Sequence, residues 1–167
     1  MVHDTFGEVI DAYQAGVLRY LRRLPRSVVD AEDLFQETFL RAFRAFGRLG
    51  ADANSRAWVY RIATNVFFNH RRSQRRHPEM SLTDQLPGRA LLSADRADRK
   101  ALGRMYRTAI LGLPHRQRVA FVQRRLCGWS YGEVAKAMGG TEATARANVS
   151  QAARRLRREL VGKEKTT

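Results

Sequence analysis

Hydrophobic residues recur every three or four positions along most of the chain, which is the periodicity of an α-helix. The clearest stripe lies within one predicted helix and consists of Ala31, Leu34, Phe35, Thr38, Phe39, Ala42, Phe43 and Phe46. Similar stripes predict a helix from about Thr5 to Leu24 and another from Asn54 to about Arg72. No alternating pattern typical of β-strands is present. The sequence therefore predicts an all-α fold, with three helices in the first half and the four phenylalanines in its core.

The second half of the chain combines helical periodicity with strong turn signals. Pro114 suits the first turn of a helix that runs to about Leu126. Ser130 and Glu133 have the spacing of a capping box, which predicts a short helix through Met138. Gly139-Gly140 then predicts a turn, and Thr141 is a fresh N-cap for a longer basic helix. This order is typical of a helix-turn-helix.

Between these halves the apolar periodicity breaks down at prolines, serines and a glycine, which indicates a flexible linker. The breaks are Pro78, Ser81, Pro87, Gly88 and Ser93. The sequence therefore predicts two small helical modules joined by that linker. We assign residues 1–76 to the first module, 77–98 to the linker, 99–162 to the second module and 163–167 to a tail.

The charge favours a polyanionic partner such as nucleic acid, because 31 basic side chains outnumber 16 acidic ones. The excess lies in two blocks, +5 over residues 49–76 and +10 over residues 101–167. Asp30 is expected to be the N-cap of the second helix, which is a structural role.

Few residues suit catalysis or metal binding. The four histidines lack a metal-ligand spacing and are expected to be solvated or incidental, so no cofactor is expected. Cys127 is the only cysteine, which excludes an internal disulfide and indicates an intracellular protein with a buried helical thiol. No signal peptide or apolar run of about 18 residues is present, which predicts a cytoplasmic protein without membrane insertion.

The third predicted helix carries arginine, amide and aromatic side chains on a stripe away from its core face. Single-stranded DNA suits such a surface, because bases stack on rings, amides bond base edges and arginines hold the backbone. The candidate residues are Trp58, Arg61, Asn65, Phe68, Arg71 and Arg72. In the alternative, Trp58 and Phe68 pack beneath the loop Leu49 to Ser55 and the arginines are merely solvated.

The last helix presents short polar and arginine side chains opposite an apolar face. Such a helix can read base edges in the major groove and contact phosphates further along. The candidate residues are Thr144, Arg146, Ala147, Asn148, Ser150, Gln151 and Arg154. A solvated basic helix in a bundle is the alternative.

The second helix has a face with acidic residues opposite its phenylalanine stripe, which would repel phosphate and therefore suits a protein partner. The residues are Asp33, Gln36, Glu37 and Arg41. The alternative is a solvated face with a Glu37–Arg41 ion pair.

With these surfaces identified, the sequence closely resembles a bacterial sigma factor of the extracytoplasmic-function (ECF) group of the sigma-70 family. The 30–42 segment, DAEDLFQETFLRA, resembles region 2.2, and the 56–65 segment, RAWVYRIATN, resembles regions 2.3 and 2.4. The segment from LPHRQR at 113–118 through Ala152 resembles region 4.

The resemblance implies a DNA-binding, non-enzymatic protein that directs core RNA polymerase in DNA-templated transcription initiation. The acidic face of the second helix would dock on the clamp helices of the largest polymerase subunit, and region 4 would contact the flap. The loop Leu49 to Ser55 and Asn65 would capture a flipped base of the minus-ten element. Arg146, Ala147, Ser150 and Gln151 would read the minus-thirty-five element. An anti-sigma factor would control a protein that is monomeric when free and nucleoid-associated in holoenzyme.

The chain departs from the family pattern in its last helix. Gly140 and Ala145 replace branched apolar residues, and Asn148 and Ser150-Gln151 stand where arginine and aromatic or histidine side chains are common. Upstream specificity therefore cannot be transferred from relatives. Two other classes remain open: a stand-alone helix-turn-helix repressor or activator, and a non-specific basic RNA-binding protein.

Overall fold

The computed structural model describes residues 5–76 and 94–164, and within these ranges all regular elements are helices. The predicted all-α class is confirmed. The helices are α1 Phe6–Leu21, α2 Val28–Phe46, α3 Ser55–Arg76, α4 Ala94–Leu111, α5 His115–Phe121, α6 Tyr131–Met138 and α7 Glu142–Glu164. A π-helical turn, Val122–Leu126, follows α5 directly and was not predicted.

The three helices of the first module begin at side-chain caps. The Thr5 hydroxyl accepts a hydrogen bond from the Glu8 amide at 3.3 Å, and the Asn54 side chain accepts one from the Ala57 amide at 2.9 Å. The predicted cap at Asp30 is wrong, because the Ser27 hydroxyl accepts from the Asp30 amide at 3.4 Å and α2 begins at Val28. Asp30 instead lies in the first turn of α2, where a carboxylate suits the positive end of the helix dipole.

The phenylalanine stripe of α2 is only partly in the core. Leu34 and Ala42 are buried, whereas Phe43 is 65% exposed, so its predicted core position is wrong. The ring of Phe6 contacts the Phe43 ring at 5.4 Å and the Phe46 ring at 5.6 Å between centroids. Because Phe6 is the first residue of α1, little of that helix remains to cover Phe43.

The helix-turn-helix is formed by α6, a glycine turn and α7, as predicted. Ser130 and Glu133 form the capping box of α6, and Gly139 ends the helix with a left-handed φ of 66°. The Thr141 hydroxyl accepts a hydrogen bond from the Thr144 amide at 3.2 Å at the start of α7. The local sequence signals therefore fix both ends of this turn.

The predicted linker is described only at its end. Residues 77–93 lie outside the described residues, and α4 begins at Ala94, within the range assigned to the linker. The sequence suggested two modules on a tether, but the structure packs them directly against each other, with one apolar core running through both. We call the contact between the modules the seam.

A buried polar cluster holds the centre of the seam. The side-chain amide of Gln123 donates to the Tyr20 hydroxyl at 3.0 Å and to the Thr64 hydroxyl at 3.1 Å. The Tyr20 and Thr64 hydroxyls lie 2.9 Å apart, and all three residues are fully buried. Gln123 lies in the π-helical turn, and such turns are frequently found at functional sites.

Aromatic and charged groups surround this cluster. The Trp129 ring packs on Tyr60 with centroids 4.9 Å apart, and the Arg56 guanidinium lies 5.3 Å from the Trp129 ring. The Arg118 guanidinium donates to the backbone carbonyl of Leu24 in the first module. Cys127 ends the π turn at the seam, half-buried rather than within a regular helix, and burial raises the pKa of its thiol.

Candidate nucleic-acid interface

The stripe predicted on α3 divides into an exposed part and a packed part. Arg61, Asn65 and Arg72 are exposed along the helix. Their side chains therefore remain available to an unpaired strand without rearrangement.

The other three predicted α3 residues, Trp58, Phe68 and Arg71, are half-buried and contact other side chains of the protein. The Trp58 ring packs against Phe46 with centroids 6.4 Å apart, next to the loop that precedes α3. The Phe68 ring lies 5.6 Å from the Arg116 guanidinium of the second module, so the alternative that it packs beneath that loop is wrong. Arg71 Nε donates to His115 Nε2 at 3.0 Å. Phe68 and Arg71 thus lie at the seam.

The contact between Arg71 and His115 lies in a crowded basic environment. Burial, and then the positive charges of Arg71 and Arg118, lower the pKa of His115 to about 4. A neutral imidazole fits this site because its Nε2 atom can accept the Arg71 hydrogen only when unprotonated. The expectation that all histidines are solvated or incidental is therefore wrong for His115, whose ring also packs edge-on against Phe67 at 6.0 Å.

Six of the seven residues predicted on α7 are exposed, and Asn148 is half-buried. The Arg146 guanidinium lies 4.3 Å from the Tyr131 ring and forms an ion pair of 3.5 Å with Glu142. The Asn148 amide donates to the Thr144 carbonyl at 2.9 Å. Arg146 and Asn148 are thus both engaged within the helix-turn-helix, Arg146 by Tyr131 of α6 and by Glu142, and Asn148 by the backbone of α7.

The side of α7 beyond these turns is strongly basic. An open groove there is lined by Gln151, Arg154, Arg155, Arg157 and Arg158. Closely spaced guanidinium groups on an exposed helix repel one another, and a phosphate backbone relieves this repulsion. This positive charge therefore lies further along α7 than the residues predicted to read base edges.

The acidic face of α2 lies on the surface of the first module. Asp33, Gln36 and Arg41 are exposed, and Arg41 Nε donates to the half-buried Glu37 at 2.5 Å. Val29 and Leu40 on the same helix are 61% and 51% exposed. The face therefore carries the Glu37–Arg41 ion pair of the predicted alternative together with two exposed apolar side chains.

Sequence reasoning missed Gln117, Gln123 and Tyr131. Gln117 and Gln123 are buried amides among the apolar residues of α5 and the π turn, where Arg118 is buried as well. A polar residue at an apolar periodic position could have indicated them, because a buried amide requires hydrogen-bond partners. Tyr131 offered no such signal, although its ring contacts both Arg146 and Arg124, the latter at 4.9 Å.

Two family models match the chain. The model for sigma-70 region 2 matches residues 9–77, and that for sigma-70 region 4 matches residues 103–156. The ECF RNA polymerase sigma factor SigL of Mycobacterium tuberculosis is 33% identical over 152 residues, which cover 90% of this chain and 85% of SigL. SigM of the same organism is 29% identical over 155 residues, or 93% of this chain and 76% of SigM.

Two solved structures share the fold, and the first of them is a sigma factor. RpoE of Bartonella quintana, in complex with the anti-sigma factor NepR, is 22% identical with a TM-score of 0.75 over 93% of this chain and 96% of its own. CnrH, in complex with the cytosolic domain of CnrY, is 22% identical with a TM-score of 0.69 over 94% of this chain and 88% of its own.

Among residues 5–76 and 94–164, no helix has the length and apolar character needed to cross a bilayer. Over the same residues, His, Cys, Asp and Glu side chains form no cluster of three that could hold a metal ion.

Both sigma-70 regions occur in order, and a relative of more than 30% identity matches most of the chain. The chain therefore belongs to the extracytoplasmic-function sigma factors of the sigma-70 family, which bind core RNA polymerase and direct promoter-specific transcription initiation.

Proposed function

We propose that α3 and α7 divide promoter recognition, with α3 capturing an unpaired base of the minus-ten element and α7 reading the minus-thirty-five element in duplex DNA. The observation that carries this proposal is the presence of two separate basic surfaces of different chemistry. One surface combines arginines, an amide and aromatic rings on α3, and the other combines small polar side chains and arginines on α7.

Promoter melting would follow from a difference in affinity between unpaired and paired DNA. A surface that binds an extruded base but not a paired one shifts the equilibrium of the DNA toward the open strand. Asn65 is the residue best suited to bond a base edge, since it is exposed between Arg61 and Arg72. Trp58, fixed against Phe46, supports the start of the helix next to the loop 49–55.

The seam places a condition on this proposal. Phe68 and Arg71 contact Arg116 and His115 of the second module, so in the packed arrangement these two side chains are half-buried and engaged by protein. We infer that the two modules separate when the protein engages a promoter. Separation would also let α3 and α7 reach two elements that are apart on the DNA.

The acidic face of α2 is the proposed docking surface for the polymerase clamp helices. Its Asp33, Gln36, Glu37 and Arg41 side chains suit a partner with complementary charge, while Val29 and Leu40 supply apolar contact. The second module would contact the flap.

We further propose control by an anti-sigma factor. RpoE and CnrH, whose fold this chain shares, were solved with the anti-sigma factor NepR and with the cytosolic domain of CnrY. The protein would act in the cytoplasm, associate with the nucleoid in holoenzyme, be a monomer when free, and catalyse no reaction of its own. The assignments of residues 1–76, 77–98 and 99–162 as region 2, linker and region 4 belong to this proposal.

Run-off transcription with core polymerase, with and without this protein, on genomic promoter fragments tests the proposal. Defined transcripts that depend on the protein are expected. Duplex binding without core association or transcripts would instead support a stand-alone helix-turn-helix regulator.

Asn65→Ala tests the role of α3 directly. We expect open-complex formation, measured by permanganate reactivity of unpaired thymines, to fall about ten-fold, as for loss of one good base contact. Core binding in a pull-down should be unchanged, and Gln14→Ala, which removes an exposed amide on α1, is the matched control. Equal loss of melting and core binding would contradict the assignment.

A further inference from the structure

The side-chain amide of Gln151 is held by a second amide that lies below it in the fold. Gln117 Nε2 donates to Gln151 Oε1 at 2.8 Å, across the packing of α5 against α7. Gln117 is only 9% exposed, whereas Gln151 is exposed on the DNA-facing side of α7. The contact therefore joins a buried side chain to one that can reach a base.

The direction of this hydrogen bond matters because an amide has two different ends. With Oε1 engaged by Gln117, the Gln151 amide presents its Nε2 donors away from the protein. In the major groove, guanine and thymine present acceptors, O6 and O4, where adenine and cytosine present amino donors. An outward NH₂ group therefore matches the keto bases G and T better than the amino bases A and C.

We propose that Gln117 is a positioning residue that sets the base preference of Gln151 by fixing which end of its amide faces DNA. This inference rests on the proposed role of α7 in reading the minus-thirty-five element. It adds that the specificity of one position is encoded by a buried residue outside the helix-turn-helix.

A carboxylate at position 117 would reverse the arrangement. Glu can only accept when ionised, so Gln117→Glu would draw the Gln151 NH₂ group inward and turn Oε1 toward DNA. The outward acceptor would then match the amino groups of A and C. Gln117→Met keeps a similar volume without a hydrogen bond, so it would release the amide to either orientation.

The experiment is transcription by the reconstituted holoenzyme at pH 8 from a promoter library randomised in the minus-thirty-five element. Gln151→Ala first identifies the position that Gln151 reads, as the one whose base preference it removes. At that position we expect Gln117→Glu to invert the preference between keto and amino bases on one strand, by about five-fold each way, as for one hydrogen bond. Gln117→Met should reduce the preference between keto and amino bases at that position.

A structural role alone for Gln117 would lower affinity at all sequences without inverting the preference at one position. Gln14→Glu, an exposed position on α1, controls for the added charge and should leave the library profile unchanged. If Gln151→Ala removes a preference that Gln117→Glu leaves as in the parent, the positioning proposal is overturned while the role of α7 stands. If Gln151→Ala changes nothing, both the positioning proposal and the base-reading role of Gln151 fail.

Discussion

Arg118 is a buried cation whose described hydrogen bonds go to backbone carbonyls. Its guanidinium donates to the carbonyl oxygens of Leu24, Leu111 and Leu113, the last at 3.1 Å. Burial lowers its pKa to about 10, so it stays charged near neutral pH. One residue thereby ties the connection between α1 and α2 to the turn before α5. In a strongly basic chain, a single arginine is thus not evidence of DNA contact.

His115, three residues before Arg118, should make the stability of the protein depend on pH. Its folded pKa of about 4 lies below the ordinary 6.5, so the folded state resists protonation. The stabilisation is fully present above pH 6.5 and is lost as the pH falls from there toward 4. After allowance for solvent screening at this half-buried site, the loss should be about 1 kcal/mol.

Unfolding of the parent and His115→Gln by urea between pH 8 and pH 5 measures this effect. The Gln side-chain oxygen can take the place of His115 Nε2 as acceptor of the Arg71 hydrogen bond but does not titrate, so the variant should lose less stability on acidification. Parallel losses for both proteins over that range would contradict the role of His115. The difference in free energy of unfolding between the two proteins at pH 8 measures any loss of stability that the substitution causes independently of pH.

At the scale of elements, the turn between α6 and α7 depends on one glycine conformation. Gly139 has φ of 66°, whereas the adjacent Gly140 has no positive φ. A Cβ atom would meet nothing within 4 Å at either position, so only the backbone distinguishes them. The two glycines therefore form a matched pair.

Gly139→Ala should lower the free energy of unfolding by about 1 kcal/mol, because side chains disfavour the left-handed region. Gly140→Ala should be neutral or slightly stabilising, since it restricts the unfolded chain without strain. Denaturant unfolding of the two variants provides the measurement. Equal destabilisation by the two substitutions would contradict the role of the left-handed φ at Gly139.

At the scale of the whole molecule, the seam covers residues that would be exposed if the two modules were separate. It buries the Gln123 cluster and engages Phe68 and Arg71 of the proposed minus-ten surface. The exposed residues Arg61 and Asn65, and nearly all of the α7 set, stay outside it. The packed protein therefore exposes nearly all of the proposed upstream surface and only part of the proposed minus-ten surface.

Cys127 offers a native reporter for opening of the seam, because its thiol is half-buried there and burial raises its pKa. Gln123→Ala should accelerate its modification by a maleimide about ten-fold, as buried hydrogen bonds and packing are lost. Gln14→Ala, at an exposed glutamine on α1, is the control and should leave the rate unchanged.

Addition of core polymerase should also accelerate Cys127 modification if the modules separate in holoenzyme. Circular dichroism checks that Gln123→Ala remains folded. A rate that responds neither to Gln123→Ala nor to polymerase would contradict a seam that opens.

The sequence by itself determined the helices, their order, the helix-turn-helix and the two basic blocks. Periodicity, capping and turn conformation depend on residues within about four positions of one another, so they can be read locally. This is why Ser130, Gly139 and Thr141 were assigned correctly. The family motifs were likewise carried by continuous segments.

The tertiary structure alone decided which polar residues are buried and how the modules meet. Gln123 contacts Tyr20 across 103 positions and Thr64 across 59, and Gln117 contacts Gln151 across 34. Such pairs have no local periodicity, and the free energy that brings them together comes from burial of apolar surface shared by both modules. Only the packed chain therefore determines that Arg118 lies inside, that Phe43 lies outside and that Gln117 holds Gln151.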